Sequence, residues 1–288
     1  LSLKKILKKP AGLLGFLIVT LFYAWSLVEG ALQLLGDALK QPRLGWILLP
    51  YNPFQPSIQN TLLPPSLSHL MGTDDLGRDI FSRVLYAAPT DAFVSVCVVA
   101  GGVAIGALLG LSAGFFGGAT DETNMRLTDL FLAFPALILA LTIEYTFGRG
   151  ALYALVAMLI VWWPTYARLF RAEALRIKKM KYIDAALLSG LSGFEILRKH
   201  FVRPALNTVL SYFTIDLGNV ILFYSVLSFL GLGVQPPYPE WGTMVASGLN
   251  YFPNWWWYSV CPGIVITVVV IGAALLGDAL RDVLAGEL

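Results

Sequence analysis

Charge is scarce in this chain. Only 13% of its 288 residues are Asp, Glu, Lys or Arg, against 57% that are hydrophobic, and the mean hydropathy is +0.71. A soluble domain carries about twice that share of charge, so the composition points to a polytopic membrane protein. Histidine and cysteine are nearly absent, with two of each. Cys97 and Cys261 lie in apolar runs, where a thiol serves as a small hydrophobe, and neither a disulfide framework nor a metal site is indicated. The match of Gly110-Leu111-Ser112-Ala113-Gly114 to a nucleophile elbow fails on two counts. That motif needs a strand-turn-helix setting and a histidine base, and His69 and His200 fall on opposite sides of the predicted membrane. No G-x-x-x-x-G-K-[S/T] occurs, so the phosphate-cradling loop of an ATPase is missing. No catalytic residue is identified. The net charge of +2 implies no nucleic-acid partner, and no internal repeat or low-complexity tract is present.

Apolar runs of roughly 20 residues are what the chain has in abundance. Six spans are expected, at residues 11–35, 93–116, 127–147, 151–170, 205–230 and 260–280. This arrangement puts both ends in the cytoplasm. Lys4, Lys5, Lys8, Lys9, Arg126, Arg281 and a basic loop between the fourth and fifth spans then lie inside, whereas Lys40, Arg43, Arg78, Arg83 and Arg149 lie outside; the inverted topology would place most cations on the wrong face. The first span is too long, and lacks the small-residue cleavage site, for a secretory signal. Pro42, Pro50, Pro53, Pro56, Pro64 and Pro65 mark residues 36–90 as an extracytoplasmic loop with little regular structure. The expected organisation is residues 1–35 as N-terminus and first span, 36–90 as outer loop, and 91–282 as one membrane domain with its basic loop at about 171–204.

Several features have competing readings. Gly102, Gly106, Gly110 and Gly114 recur every fourth residue and form one helical stripe, which suits close backbone packing against a neighbour, with the lining of a substrate path as the alternative. Asp74, Asp75 and Asp79 resemble a magnesium-diphosphate cluster of a membrane prenyltransferase. Their outer placement and the lack of a second acidic cluster favour a capped turn paired with Arg78 or Arg83. Charges inside spans are costly unless paired or facing a cavity. Asp129 has Arg126 one turn away and Asp278 has Arg281. Asp216 has no cation nearby, leaving Asn219 and Tyr212 as local partners, or a water-filled translocation path that Asp216 and Asn219 would line. Trp241, Trp255, Trp256 and Trp257 read as interface anchors or as contacts for an extracytoplasmic protein, with a short helix at residues 244–249.

The basic loop is the most specific signal. Arg168, Arg171, Arg176, Lys178, Lys179, Lys181, Arg198, Lys199 and Arg203 cluster around Asp184-Ala185-Ala186-x-x-x-Gly190, with His200 ten residues on. This pattern resembles the EAA loop of binding-protein-dependent ABC importer permeases. The segments Gly72-Thr73-Asp74-Asp75-Leu76-Gly77-Arg78-Asp79, Met125-Arg126-x-x-Asp129 with Pro135, Gly231-Leu232-Gly233-Val234-Gln235-Pro236-Pro237 with Trp241-Gly242, and Leu276-Gly277-Asp278-x-Leu280-Arg281-Asp282 extend the resemblance to the C-type permease of dipeptide, oligopeptide and nickel importers. Asp184 stands where that family has Glu, and Arg203-Pro204 where it has Leu-Pro one residue earlier. The resemblance implies an all-α fold, an ABC type-1 (MetI-like) core of membrane helices plus one N-terminal helix. It further implies a cell-membrane permease for peptides, nickel chelates or oligosaccharides, working with a homologous B-type permease, two ATP-binding subunits that hold the ATP and magnesium, and an extracytoplasmic binding protein, all in membrane lipid. Tyr182, Asp184, Ala185, Ala186, Gly190 and His200 would then form the ATPase-coupling site. A coupling helix over residues 182–189 would end at Gly190, since glycine enters the left-handed region freely. An ion-coupled secondary transporter using Asp216 is the alternative of a different class.

Overall fold

No water satisfies backbone amides inside a bilayer, so an apolar chain closes its hydrogen bonds within helices. The computed structural model describes residues 6–7 and 9–285; Lys4, Lys5 and Lys8, expected inside, lie outside the described residues. Among those residues no strand forms beyond an isolated bridge between Thr73 and Asp79. The helices are α1 (Pro10–Ala38), α2 (Ile80–Phe116), α3 (Gly118–Leu132), α4 (Ala136–Phe147), α5 (Ala151–Lys178), α6 (Lys181–Leu188), α7 (Gly193–Ile196), α8 (Arg203–Phe229), α9 (Trp241–Leu249) and α10 (Trp257–Ala285).

Helices α1, α2, α5, α8 and α10 are each long and apolar enough to cross a membrane. The third expected span is broken. Residues 127–147 divide between α3 and α4, which bend by 83°, so six spans result only if the bent pair counts as one. The break follows from Pro135, which has no amide hydrogen and disfavours helical geometry at Phe134. The outer loop is also shorter than expected. Helix α2 begins at Ile80, inside the segment read as loop to residue 90, because the Asp79 carboxylate caps it by accepting from the Ser82 amide at 2.7 Å.

That loop segment is tightly hydrogen-bonded. Asp74 accepts from the Leu76 and Arg78 amides, both at 2.9 Å, and from Arg78 Nε at 2.7 Å, with Arg83 at 3.7 Å. His69 Nδ1 lies 2.9 Å from Asp79, and Asp75 accepts from the Tyr258 hydroxyl at 2.9 Å. Asp74 thus serves the turn, Asp79 caps α2 and Asp75 ties the turn to α10, and no group of three ligating side chains stands together among the described residues.

Glycines set how closely the membrane helices approach. A Cβ on Gly106 would sit 2.4 Å from Tyr166 Cβ, on Gly110 2.3 Å from the Ala167 carbonyl, and on Gly114 2.5 Å from Ala174 Cβ. The stripe therefore presses α2 against α5, and their seam runs through a core that includes Val98, Met158, Phe170 and Ile177. A second core joins Phe22, Ile80 and Val84 to Trp241, Trp257 and Tyr258. Trp241 and Trp257 are therefore buried and not interface anchors: the Trp241 indole donates to the Val84 carbonyl at 3.0 Å. Only Trp255 and Trp256 of that group are exposed. Helix α9 starts three residues before the expected 244, because the buried Glu240 carboxylate caps it on the amides of Gly242 and Thr243 at 2.9 and 2.8 Å.

Candidate functional site

Two places concentrate polar chemistry: the basic loop between α5 and α8, and Asp216 inside α8. The loop is built as two short helices around a glycine. Helix α6 buries Ile183 and Ala186 against the main core and exposes Tyr182, Asp184, Ala185 and Leu188. The sequence had Ala185 and Ala186 both facing a partner. The structure gives that exposure to Ala185 alone, because the two residues lie a hundred degrees apart on the helix. At Gly190 φ is +79° and an added Cβ would meet nothing within 4 Å. Backbone geometry therefore selects glycine there, and packing does not.

Beyond the turn, Ser192 and Glu195 form a capping box, with the Ser192 hydroxyl and the Glu195 carboxylate each serving the other's backbone amide. The Ser192 amide and hydroxyl, with Lys199 3.7 Å away, hold the Glu195 carboxyl below the usual carboxylate range. The chain then widens into a π-helical turn, Leu197–Val202, before α8. Pro204 accounts for it: with no amide hydrogen it cannot bond the His200 carbonyl, so the turn opens by one residue. Arg203-Pro204 thus joins the loop's second arm to α8 as one helical rod. The His200 ring lies 6.0 Å from the Tyr182 ring, across the two arms.

Ion pairs fasten the end of α5 that leads into this loop to α3. Arg171 grips Asp121 through Nε and Nη2, the latter at 2.6 Å, and Arg168 reaches Asp129 at 2.6 Å. Arg126, the partner expected for Asp129, pairs with Glu122 at 3.6 Å instead, while Asp129 is taken by Arg168 of α5. Lys178 donates to the Phe115 carbonyl at 2.8 Å. Lys179, Lys181, Arg198 and Arg203 keep an exposed charge with no ion pair among the described residues. Sequence reasoning missed two apolar side chains on this basic surface, Leu188 at 89% exposure and Phe194 at 73%. Their position beside the glycine turn, within a segment otherwise charged, was the available signal.

Asp216 sits between two donors. Trp162 Nε1 of α5 donates to one oxygen at 3.1 Å and Asn219 Nδ2 to the other at 3.0 Å. Asn219 was foreseen; Tyr212, the other expected partner, is half exposed and makes no recorded bond to it. Trp162 was hidden in an apolar run, although its indole is the only side-chain donor in residues 154–163 besides Trp163. Asp216 is partly exposed and Asn219 exposed, which leaves this polar face of α8 open to something other than lipid. Asp91, Glu144 and Glu240 are three further acids that are fully buried. Neither oxygen of Asp91 or Glu144 has a hydrogen-bond partner among the described residues. They lay at the edge of, within, and beyond expected apolar runs, and the isolated charge was the only sign.

Comparison with known proteins agrees with this architecture. Residues 106–287 match the family described as binding-protein-dependent transport system inner membrane component. The chain is 40% identical over 223 residues to the probable D,D-dipeptide transport system permease protein of Escherichia coli (strain K12), covering 77% of this chain and 75% of that protein. It is 33% identical over 283 residues to the dipeptide transport system permease protein of Alkalihalophilus pseudofirmus, covering 98% and 88%. Identity to the oligopeptide transport system permease protein of Bacillus subtilis (strain 168) is 35% over 232 residues, covering 81% and 76%.

Proposed function

Because this chain belongs to the family of binding-protein-dependent transport system inner membrane components, we propose that it forms half of the path by which an ABC importer admits short peptides. The peptide class rests on the names of its relatives. A homologous B-type permease supplies the other half, an extracytoplasmic binding protein delivers the solute, and two ATP-binding subunits hold ATP and magnesium. The chain itself binds neither. Asp216 and Asn219 face the path, and both termini and the basic loop face the cytoplasm.

The observation that carries this reading is the exposed α6 ending at Gly190, held to the membrane helices on both sides. Ile183 and Ala186 root it in the core while Tyr182, Asp184, Ala185 and Leu188 project outward, leaving a surface on which a partner can push. The rigid rod from α7 through the π turn into α8, and the Arg171–Asp121 and Arg168–Asp129 pairs, carry that push to the helix holding Asp216 and to the bent pair α3 and α4. Closure of the ATPase dimer then biases the permease between two arrangements of the path.

Gly190 provides the test. A Cβ there meets no atom within 4 Å, so the main cost of valine is backbone strain, about 1–2 kcal/mol, applied where the partner docks. Gly190→Val is expected to reach the membrane in normal amount yet lose uptake and substrate-stimulated ATP hydrolysis in the reconstituted importer. Gly190→Asn, which tolerates the left-handed region, is expected to retain most of both. Normal coupling in Gly190→Val would refute the role of the turn.

A further inference from the structure

At the end of the molecule opposite the basic loop, residues of α4 and the end of α8 border an open depression of about 400 Å³ lined by Leu141, Thr142, Tyr145, Arg149, Leu230 and Leu232. Its lining is half leucine and half polar, with one cation. Arg149 is exposed and has neither a hydrogen bond nor an ion pair among the described residues; its charged neighbour is Glu144, fully buried on α4. The Thr142 hydroxyl is spent on the Ile138 carbonyl at 2.8 Å, while Tyr145 is 78% exposed and its hydroxyl is free to turn inward. The depression is therefore an open pocket of a few hundred cubic ångströms with a guanidinium fork and a phenol at its rim, which suits a small anionic group with an apolar neighbour.

The pocket also shares a helix face with Asp216. Leu230 lies about four helical turns beyond Asp216, so it returns to nearly the same side of α8. Phe223, between them, stacks edge-on with the Trp162 ring that donates to Asp216, at 5.5 Å. One face of α8 thus runs from a carboxylate in the membrane to an arginine at its outer mouth.

Resting on the reading of the chain as a peptide importer subunit, we propose that Arg149, with Tyr145, forms a subsite at the mouth of the path that takes the C-terminal carboxylate of the incoming peptide. The planar guanidinium offers two parallel donors to a carboxylate, and Leu141, Leu230 and Leu232 receive the last side chain. A peptide held this way enters with its ammonium end leading toward Asp216. Nothing in the anchoring of Arg149 ties it to the fold, so the site can be changed without unfolding the protein.

The same guanidinium would also bind a lipid phosphate, and the experiment separates the two. The complete importer, with its ATPases and binding protein, is placed in vesicles of phosphatidylcholine alone or with phosphatidylglycerol, and uptake of Ala-Ala-Ala is compared with that of its C-terminal amide. Arg149→Gln is expected to lower uptake of the free acid about tenfold, the worth of a charge-assisted hydrogen bond, and to leave the amide little changed in both lipids. Equal losses for acid and amide would overturn the subsite, and a loss confined to phosphatidylglycerol vesicles would assign Arg149 to the lipid. If wild type takes up peptides but Arg149→Gln behaves identically, the subsite fails and the importer reading stands; if wild type takes up no peptide, both fail. Where the binding protein refuses the amide, a diazirine on the last residue of the peptide decides. Labelling of Tyr145 in wild type that vanishes in Arg149→Gln supports the subsite, and labelling elsewhere in wild type overturns it.

Discussion

Asp216 shows how much one residue's role depends on partners that sequence spacing cannot supply. Asn219 was visible because it lies one turn away on the same helix, whereas Trp162 comes from α5 and is brought within 3.1 Å only by the fold. With both oxygens served by neutral donors, the carboxylate keeps its place in the membrane while one edge stays open. Asp216→Asn is therefore expected to preserve assembly and to reduce uptake of a lysine-containing peptide several-fold more than that of an all-neutral one, since only the charge is removed. Asp216→Leu leaves the Trp162 indole unpaired and is expected to cost about 1–3 kcal/mol of stability as well, read as a lower Tm of the purified subunit. Equal effects of Asp216→Asn on the two peptides would remove Asp216 from the path.

At the scale of elements, a pattern was legible wherever it repeated and illegible wherever it was interrupted once. The glycine stripe of α2 was readable because four glycines at a four-residue spacing can serve little else in a membrane helix. The bend between α3 and α4 was not, because the apolar run continues across Phe134-Pro135 and outweighs a single proline when only hydropathy is read. The start of α2 was misjudged for the opposite reason: the prolines that mark the segment as loop end at Pro65, whereas Ser82 and Arg83 are buried in the first turn of α2, bonded to Tyr51 and Pro53 of the preceding segment. Trp241 and Trp257 were misread as anchors since burial in a second core and residence at an interface call for the same side chain. The stripe permits a sharp check. Valine at Gly110 would collide with the Ala167 carbonyl and Phe170, an overpacking of about 1–3 kcal/mol or more. Leu108→Val, on the 72% exposed side of the same helix, should be close to neutral. Thermal unfolding of the two variants in detergent is expected to separate them clearly, and equal Tm values would mean that the seam between α2 and α5 is not held by glycine.

For the molecule as a whole, the helical membrane architecture follows from composition and run length alone, and the distribution of cations predicts its direction. What composition could not reveal is how the basic loop is connected. The capping box at Ser192 and the π turn at Pro204 make the loop continuous with α8, and the ion pairs of Arg168 and Arg171 fasten α5, from which the loop emerges, to α3. We propose that α6 transmits the ATPase stroke from the cytoplasmic side. The most direct measurement places a single reactive thiol at Ala185→Cys, with Cys97 and Cys261 replaced by serine, in sealed vesicles of the intact importer. A short bifunctional crosslinker should join this position to an ATP-binding subunit, and a membrane-impermeant maleimide added from outside should leave it unlabelled. Labelling from outside, or a coupling-competent complex in which this thiol never crosslinks to an ATPase, would contradict the claim.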